Sequence, residues 1–307
     1  MSTSAQSGSS PTPFSDRLAA AMEAKGTVAC VGIDPVVEKF PADFKPANPA
    51  DHGASGNSLR RFCDGVIDAV APLVPIVKFQ SACFERYGEH GLSALRHSII
   101  HAHQAGLLVL LDAKRGDIGI SAEHYAAAAF DGSAAADALT CSGYLGPDTI
   151  EPLIRPGRGL FVLVRTSNPG SDAFQSLPLA DGRTVAGAMA DMVAGLGARH
   201  RGRCGLSDIG AVVGATKSAE AASLRARMPD AMFLIPGYGA QGGTLEDIRP
   251  GLRASRKAGS PASLGVLVTA SRSVIYPELP KGAASANWRM AVTAAAKRLV
   301  GELRKLG

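Results

Sequence analysis

A single (β/α)8 barrel of the TIM type is the fold this chain predicts. Eight apolar runs recur along its 307 residues. Most are continuous rather than alternating, as in parallel strands covered on both faces. Helix-like segments separate many of them, which favours a closed parallel barrel. An open doubly wound sheet is the alternative, and eight similar strands weigh against it.

The first residues, "MSTSAQSGSSPTPFS", are polar and lack the basic start and apolar stretch of a secretory signal. They predict a disordered tail over 1–13, with the barrel domain over 14–307. A helix over 15–26 leads into strand one, "TVACVGID" (27–34). An irregular stretch over 35–57 precedes a helix over 59–72. Strand two is "LVPIVKFQ" (73–80), after which Glu85 and Arg86 start a helix or pair with each other. Over 91–106, Leu92, Leu95, Ile99 and Ala102 recur at helical spacing and Gly106 stops the run. Strand three is "GLLVLLDA" (106–113), followed by a helix in which His124 has a structural role. Strands four and five are "ADALTCSG" (136–143) and "GLFVLVRTS" (159–167). A second irregular stretch, 168–182, precedes a helix over 183–200. Strand six, "IGAVVGAT" (209–216), a helix over 218–230, and strands seven, "AMFLIPGYG" (231–239), and eight, "LGVLVTASR" (264–272), follow. A helix over 287–306 closes the chain. Both irregular stretches follow strand C-termini, the face where barrel enzymes carry their sites, and loops this long serve as lids or mobile insertions.

Hydrophobic residues make up 46% of the chain, ample for one large core. The formal charge is +5, with mild basic clusters at 199–203 and 249–257. Gly, Ala or Pro interrupts each cluster and no aromatic accompanies it, so both read as solvated faces rather than nucleic-acid surfaces. The balance suits a small anionic substrate. No run of about 18 apolar residues predicts a membrane span. Five cysteines lie far apart with no C-x-x-C pair, so neither a disulfide framework nor a zinc site is expected. They read as buried free thiols of a cytoplasmic protein. His97 and His101 share a helical face, but no acidic companion accompanies them in the sequence, so no metal site is expected.

The chemistry concentrates where strand three ends. In "LVLLDAKRGDIGIS" (108–121) an aliphatic run turns into Asp112, Lys114, Arg115 and Asp117. Asp112 and Lys114 are i and i+2, hence on one side of a strand. Strand two ends at Lys78 and strand one at Asp34, so amines and carboxylates converge at one mouth. A single such charge is ordinarily solvated or closes a sheet edge. Asp112, Lys114 and Asp117 together, flanked by apolar sequence, point to a site. Strand seven ends "PGYGAQGG" and strand eight "TASRS". Glycines let backbone N–H groups approach an anion, and Arg272 adds a fork of donors. The loops after strands seven and eight are the usual phosphate grip of this fold.

These residues resemble the orotidine 5′-phosphate decarboxylase family. "DAKRGDIGIS" is similar to its D-x-K-x-x-D-I signature, in the spelling of its branch with longer bacterial chains. "VGIDP", "VKFQSACFERYG", "RTSNPG", "VVGAT", "PGYGAQGG" and "SR" match in order, from about Asp34 to Arg272. The resemblance implies a homodimeric barrel that converts orotidine 5′-phosphate (OMP) to UMP and carbon dioxide in pyrimidine synthesis, with no metal or cofactor. It implies that Lys114 donates a proton to the ring carbon losing its carboxylate, with Asp112 beside that carboxylate. Asp117 would enter from the partner subunit and complete a charge chain with Lys78 and Lys114. Asp34 and Lys78 would hold ribose hydroxyls, with Ser121 near the ribose across the interface. Ser167 would contact the pyrimidine, and Gln241 and Arg272 the phosphate. "TCSGYLG" (140–146) departs from the branch pattern at Ser142 and Gly143, where Asn and Pro are expected. That puts the loop after strand four in question, not the charged set.

Loss of carbon dioxide leaves a carbanion in the ring plane, which the π-system cannot delocalise. A nearby ammonium stabilises that charge and then protonates it. Phosphate grip supplies remote binding energy that can close loops, with 236–243 the expected lid and 168–182 able to join it. Related sugar-phosphate enzymes with the same D-x-K-x-x-D use a metal held by an acidic residue near the end of strand two, where this chain has Lys78. A Schiff-base lysine is disfavoured, because flanking carboxylates keep Lys114 protonated. A non-catalytic nucleotide-binding barrel has no reason to keep buried charge.

Overall fold

The structure, a computed structural model, describes residues 11–278 and 285–307; the first ten residues of the expected tail lie outside these. Eight parallel strands close in chain order: β1 (Ala29–Ile33), β2 (Ile76–Gln80), β3 (Leu108–Arg115), β4 (Ala138–Cys141), β5 (Gly159–Arg165), β6 (Ser207–Val213), β7 (Ala231–Ile235) and β8 (Val266–Ala270). β8 pairs back onto β1, with Val268 opposite Ala29, which excludes the open sheet. Each expected strand is present. β1, β4, β7 and β8 are buried along their whole lengths, as continuous apolar runs require.

Among the described residues seven longer helices surround the barrel: α1 (Phe14–Lys25), α2 (His52–Val70), α3 (Gly88–Gln104), α4 (Gly119–Phe130), α5 (Val185–Gly197), α6 (Ser218–Arg227) and α7 (Ser285–Leu303). The β4–β5 crossover has only two 3-10 turns, Pro147–Thr149 and Glu151–Leu153. Helix α2 starts seven residues earlier than the expected 59. Asp51 caps it, accepting from the Ala54 N–H at 3.0 Å. Gly53 and Gly56 hide this helix from a propensity reading. A Cβ on Gly56 would come within 2.9 Å of the His90 carbonyl oxygen, so the glycine admits α3. In α3, Leu92 is 45% exposed rather than packed inward.

The stretch 35–57 is not a free lid. Phe40 stacks on Phe62 of α2 at 4.1 Å between ring centroids, and Phe44 meets Trp288 of α7 at 5.2 Å. Aromatic burial of this kind anchors the first long loop on the barrel wall.

The barrel floor is closed by charge. Asp137, just before β4, accepts from Arg17 of α1 and from the Val109 N–H, and meets His103 at 3.0 Å. Arg225 of α6 is 6% exposed. It donates to the carbonyls of Gly251, Met228, Ala231 and Gly265, with its guanidinium 3.6 Å from the Phe233 ring centroid.

Several expectations are corrected. Glu85 pairs with Arg115, and Arg86 with Glu38, rather than with each other. His97 and His101 do have acidic companions, Asp64 and Asp68, supplied by α2 across the helix contact. Of the cysteines, Cys30, Cys63 and Cys141 are buried, Cys83 is partly open and Cys204 is exposed; all five are free thiols. Among the described residues no helix is long and apolar enough to cross a membrane.

Candidate active site

The C-terminal ends of all eight strands contribute to one cleft of about 530 Å³. Lys78 sits opposite Leu110 in the β2–β3 register, and Gln80 opposite Asp112. Lys78 and Asp112 therefore share the inward face, one layer apart.

There the charges form a ladder. Asp34 Oδ1 lies 3.3 Å from Lys78 Nζ, which lies 2.9 Å from Asp112 Oδ2. Asp112 Oδ1 accepts from Lys114 Nζ at 2.6 Å. The lower rungs are dry: Lys78 is 6% and Asp112 7% exposed, whereas the Lys114 side chain is 47% exposed. Burial alone would pull the Lys78 pKa down, but the Asp34 and Asp112 carboxylates overcome it and leave the pKa above the ordinary lysine range. Burial pushes Asp112 the other way, and the Lys78 and Lys114 ammoniums overcome it, holding the carboxyl at about 2. Lys78 and Asp112 are thus both ionised at neutral pH. Cys30, beneath the ladder, is pushed up to about 12 by burial and stays a thiol.

Lys114 does not follow plain strand alternation. The β3–β4 register shifts between Leu111 and Arg115, and Lys114 has φ 48°, the one positive φ outside glycine among the described residues. A bulge re-aims a side chain, and here the ammonium folds back onto Asp112. Thr140 of β4 fastens the bulge. Its Oγ accepts from the Lys114 N–H at 2.9 Å and donates to Asp112 Oδ1 at 2.8 Å.

Across the cleft, Arg272 follows β8 and donates weakly to the Ala240 carbonyl, 3.4 Å away. The loop 236–243 turns through Gly237, Gly239 and Gly242, all at positive φ. Gln241 and Arg272 both line the cleft, as does Ser167 at the end of β5. Gly214 makes room for Ser167, since a Cβ there would sit 2.8 Å from its Cα.

Seven of the nine expected site residues are therefore brought together: Asp34, Lys78, Asp112, Lys114, Ser167, Gln241 and Arg272. Asp117 and Ser121 do not line this cleft. Asp117 accepts from the Ile118 N–H, and Ser121 sits in the first turn of α4. Beside them Ile118 and Ile120 are 64% and 70% exposed. A Cβ on Gly116 of the same loop would lie 3.1 Å from Ser142 Cβ, and beyond Ser142 exposed Tyr144 meets Phe174 at 5.7 Å. The departure at Gly143 is a packing feature: a Cβ there would lie 2.6 Å from Met189 Sδ of α5.

Thr140 was not a sequence candidate, because a neutral residue in a four-residue strand carries no charge signal. Arg165 was also missed, although "VLVRTS" shows the same abrupt charge after an apolar run that marks Asp112. It is 2% exposed and bonds Ser171, Asp172, Gln175, Ser176 and Glu220. The expected lid 168–182 is accordingly held at its base, with a 3-10 turn over Pro169–Ser171 and a helical turn over Asp172–Gln175.

Residues 30–286 match the family described as orotidine 5′-phosphate decarboxylase / HUMPS. The chain is 39% identical over 307 aligned residues to the orotidine 5′-phosphate decarboxylase of Rhodopirellula baltica, covering 95% of this chain and 99% of that protein. It is 40% identical over 276 residues to the Cupriavidus necator enzyme of the same name, covering 89% and 93%. It also superposes on the structure of Leishmania donovani OMP decarboxylase with a TM-score of 0.73 at 32% identity, covering 96% and 98%.

Proposed function

This chain belongs to the orotidine 5′-phosphate decarboxylase / HUMPS family, and from that premise we propose that it decarboxylates OMP to UMP, a carboxy-lyase step of pyrimidine biosynthesis that needs no cofactor. The observation that carries the reading is the ladder Asp34–Lys78–Asp112–Lys114, whose last ammonium opens into the cleft.

Substrate phosphate binds Arg272, Gln241 and the glycine-rich loop 236–243, some distance from the reacting carbon. Asp34 and Lys78 take ribose hydroxyls, and Ser167 meets the pyrimidine edge. The substrate carboxylate then lies by Asp112, which cannot accept a proton at neutral pH because its carboxyl is held at about 2. As the carbon–carbon bond breaks, its electron pair remains on the ring carbon. Lys114 stabilises that charge through a preorganised ammonium and transfers a proton to it. Thr140 acts through the Lys114 backbone and through Asp112, as a positioning residue.

A homodimer belongs to the same proposal. Asp117 and Ser121 stay out of their own chain's cleft while Ile118, Ile120 and Tyr144 beside them are exposed. That apolar surface suits a second copy, which would deliver Asp117 to the neighbouring ladder. Mixing inactive Lys114→Ala and Asp117→Ala chains should then restore activity in hybrid dimers; hybrids verified by mass that stay inactive would refute a shared site. A cytoplasmic setting is part of this reading, supported by five unbridged cysteines.

The primary test is OMP turnover by purified protein with and without a chelator. Equal UMP formation in both supports the cofactor-free decarboxylase. Turnover that is absent, or that dies with the chelator, favours a metal-dependent sugar-phosphate reaction and a new role for Lys78.

A further inference from the structure

The cleft wall formed by the segment after β5 is a one-way chain of hydrogen bonds. Arg165 fills all five of its N–H donors: Nε to Glu220 at 2.7 Å, Nη1 to Ser171 at 2.7 Å and Gln175 Oε1 at 3.4 Å, and Nη2 to Ser176 at 3.1 Å and to Asp172. A guanidinium only donates, so Gln175 must turn its carbonyl oxygen toward it. The Thr166 backbone N–H, which also only donates, reaches the same Oε1 at 2.8 Å. The amide orientation is locked twice over, and Gln175 Nε2 therefore donates to Thr166 Oγ1, 2.9 Å away. That hydroxyl has one proton and sends it to Asn168 Oδ1 at 2.7 Å. Asn168 lines the cleft with its carbonyl oxygen already engaged. Its Nδ2 amide is the remaining end, and among the described residues no acceptor takes it up.

We infer that Asn168 is a specificity-determining donor whose amide N–H receives a carbonyl oxygen of the substrate's pyrimidine ring, and that Arg165 and Gln175 are positioning residues that fix its direction. The inference rests on the decarboxylase reading above and deepens it. The wall distinguishes donor from acceptor: a ring presenting an amino group where uracil has a carbonyl meets donor against donor. Arg165 spans the ends of β5 and α6, and Lys217 adds a bond to Asp172 at 2.6 Å, so the chain is braced from both sides.

Three variants test it: Asn168→Ala, Gln175→Glu and the double variant. Asn168 is exposed, so its truncation leaves the fold intact. In Gln175→Glu both side-chain oxygens accept. The Thr166 proton turns to position 175, and Asn168 reverses to present Oδ1 to the cleft. UMP binding by calorimetry should weaken about tenfold in each single variant, the scale of one neutral hydrogen bond. Binding of ribose 5-phosphate, which lacks the ring, should stay within about twofold of wild type. The double variant should be no weaker than Asn168→Ala, because the relay has only one output. Additive losses would overturn the relay, as would equal losses for ribose 5-phosphate or an unaffected Asn168→Ala. A wild-type protein that neither turns over OMP nor binds UMP would overturn the activity reading and this inference with it, whereas active wild type with an indifferent Asn168 would sink the relay alone.

Discussion

Where the strands begin, every buried charge is tied down by backbone groups and side chains together. Arg225 spends its donors on four carbonyls, and Asp137 gathers an arginine, a histidine and a main-chain N–H. Where the strands finish, the charges form a connected ladder with an open end. Asp34, Lys78, Asp112 and Lys114 are satisfied mostly by one another, and the last of them faces open space. Both ends bury ionised groups, and both compensate them. The floor is saturated and can only hold the barrel shut. The mouth keeps one ammonium available, and only such a group can act on something that arrives.

This contrast predicts that substitutions at the two ends fail differently. The largest effect should come from Lys114→Ala. OMP turnover should fall by at least about 10⁴-fold, combining lost proton transfer with lost charge stabilisation. The melting curve and UMP affinity should stay near wild type; joint loss of UMP binding and folding would make Lys114 a structural residue like those of the floor. Arg225→Met should do the reverse. Urea denaturation should show a loss of about 3 kcal/mol, while kcat/KM per folded molecule is unchanged. A kcat/KM that drops with it would erase the distinction between the ends. Arg272→Ala should raise KM by roughly 10- to 100-fold, as for a charge-assisted bond lost to the phosphate. An unaltered KM would displace the phosphate site.

The smallest effect is on acid stability. The Asp112 carboxyl is held at about 2 in the folded chain, below its ordinary value of about 3.9. Its contribution, about 2 kcal/mol, is therefore present above that ordinary value and lost as pH falls through about 2. Asp112→Asn should flatten stability against pH in that window, read by denaturant midpoints from pH 5 to pH 2. Lys78 runs in the opposite direction, because its pKa is raised on folding. Its contribution is complete below the ordinary lysine pKa and fades only in stronger alkali.

The mouth was more legible than the helices. Charges that end apolar strands break an expected pattern, so Asp34, Lys78, Asp112 and Lys114 stood out. The eight strands stood out for the same reason, as unbroken apolar runs. The start of α2 did not, because Gly53 and Gly56 read as loop until His90 of α3 is seen to need the space. The bulge at Lys114 was hidden as well, since strand alternation puts Asp112 and Lys114 on one side by a simpler route. Polar neutral residues were legible only where a family motif carried them, as for Ser167 and Gln241. Thr140 and Gln175 have ordinary sequence contexts, and Asn168, though inside "RTSNPG", received no role there; what sets these three apart is which way each hydrogen bond points, a property of three-dimensional closure. The acidic partners of His97 and His101 were likewise on another helix.

The backbone at Lys114 carries a consequence for how such a protein ages under selection. Its φ of 48° is a conformation that glycine adopts freely and lysine adopts at a cost of about 1 kcal/mol. Glycine would relieve that backbone cost, but it would also strip buried Asp112 of one of its two ammonium partners. Backbone ease and charge compensation thus pull on the same residue in opposite directions. Under the proposed reaction, selection for product adds its weight to the lysine side.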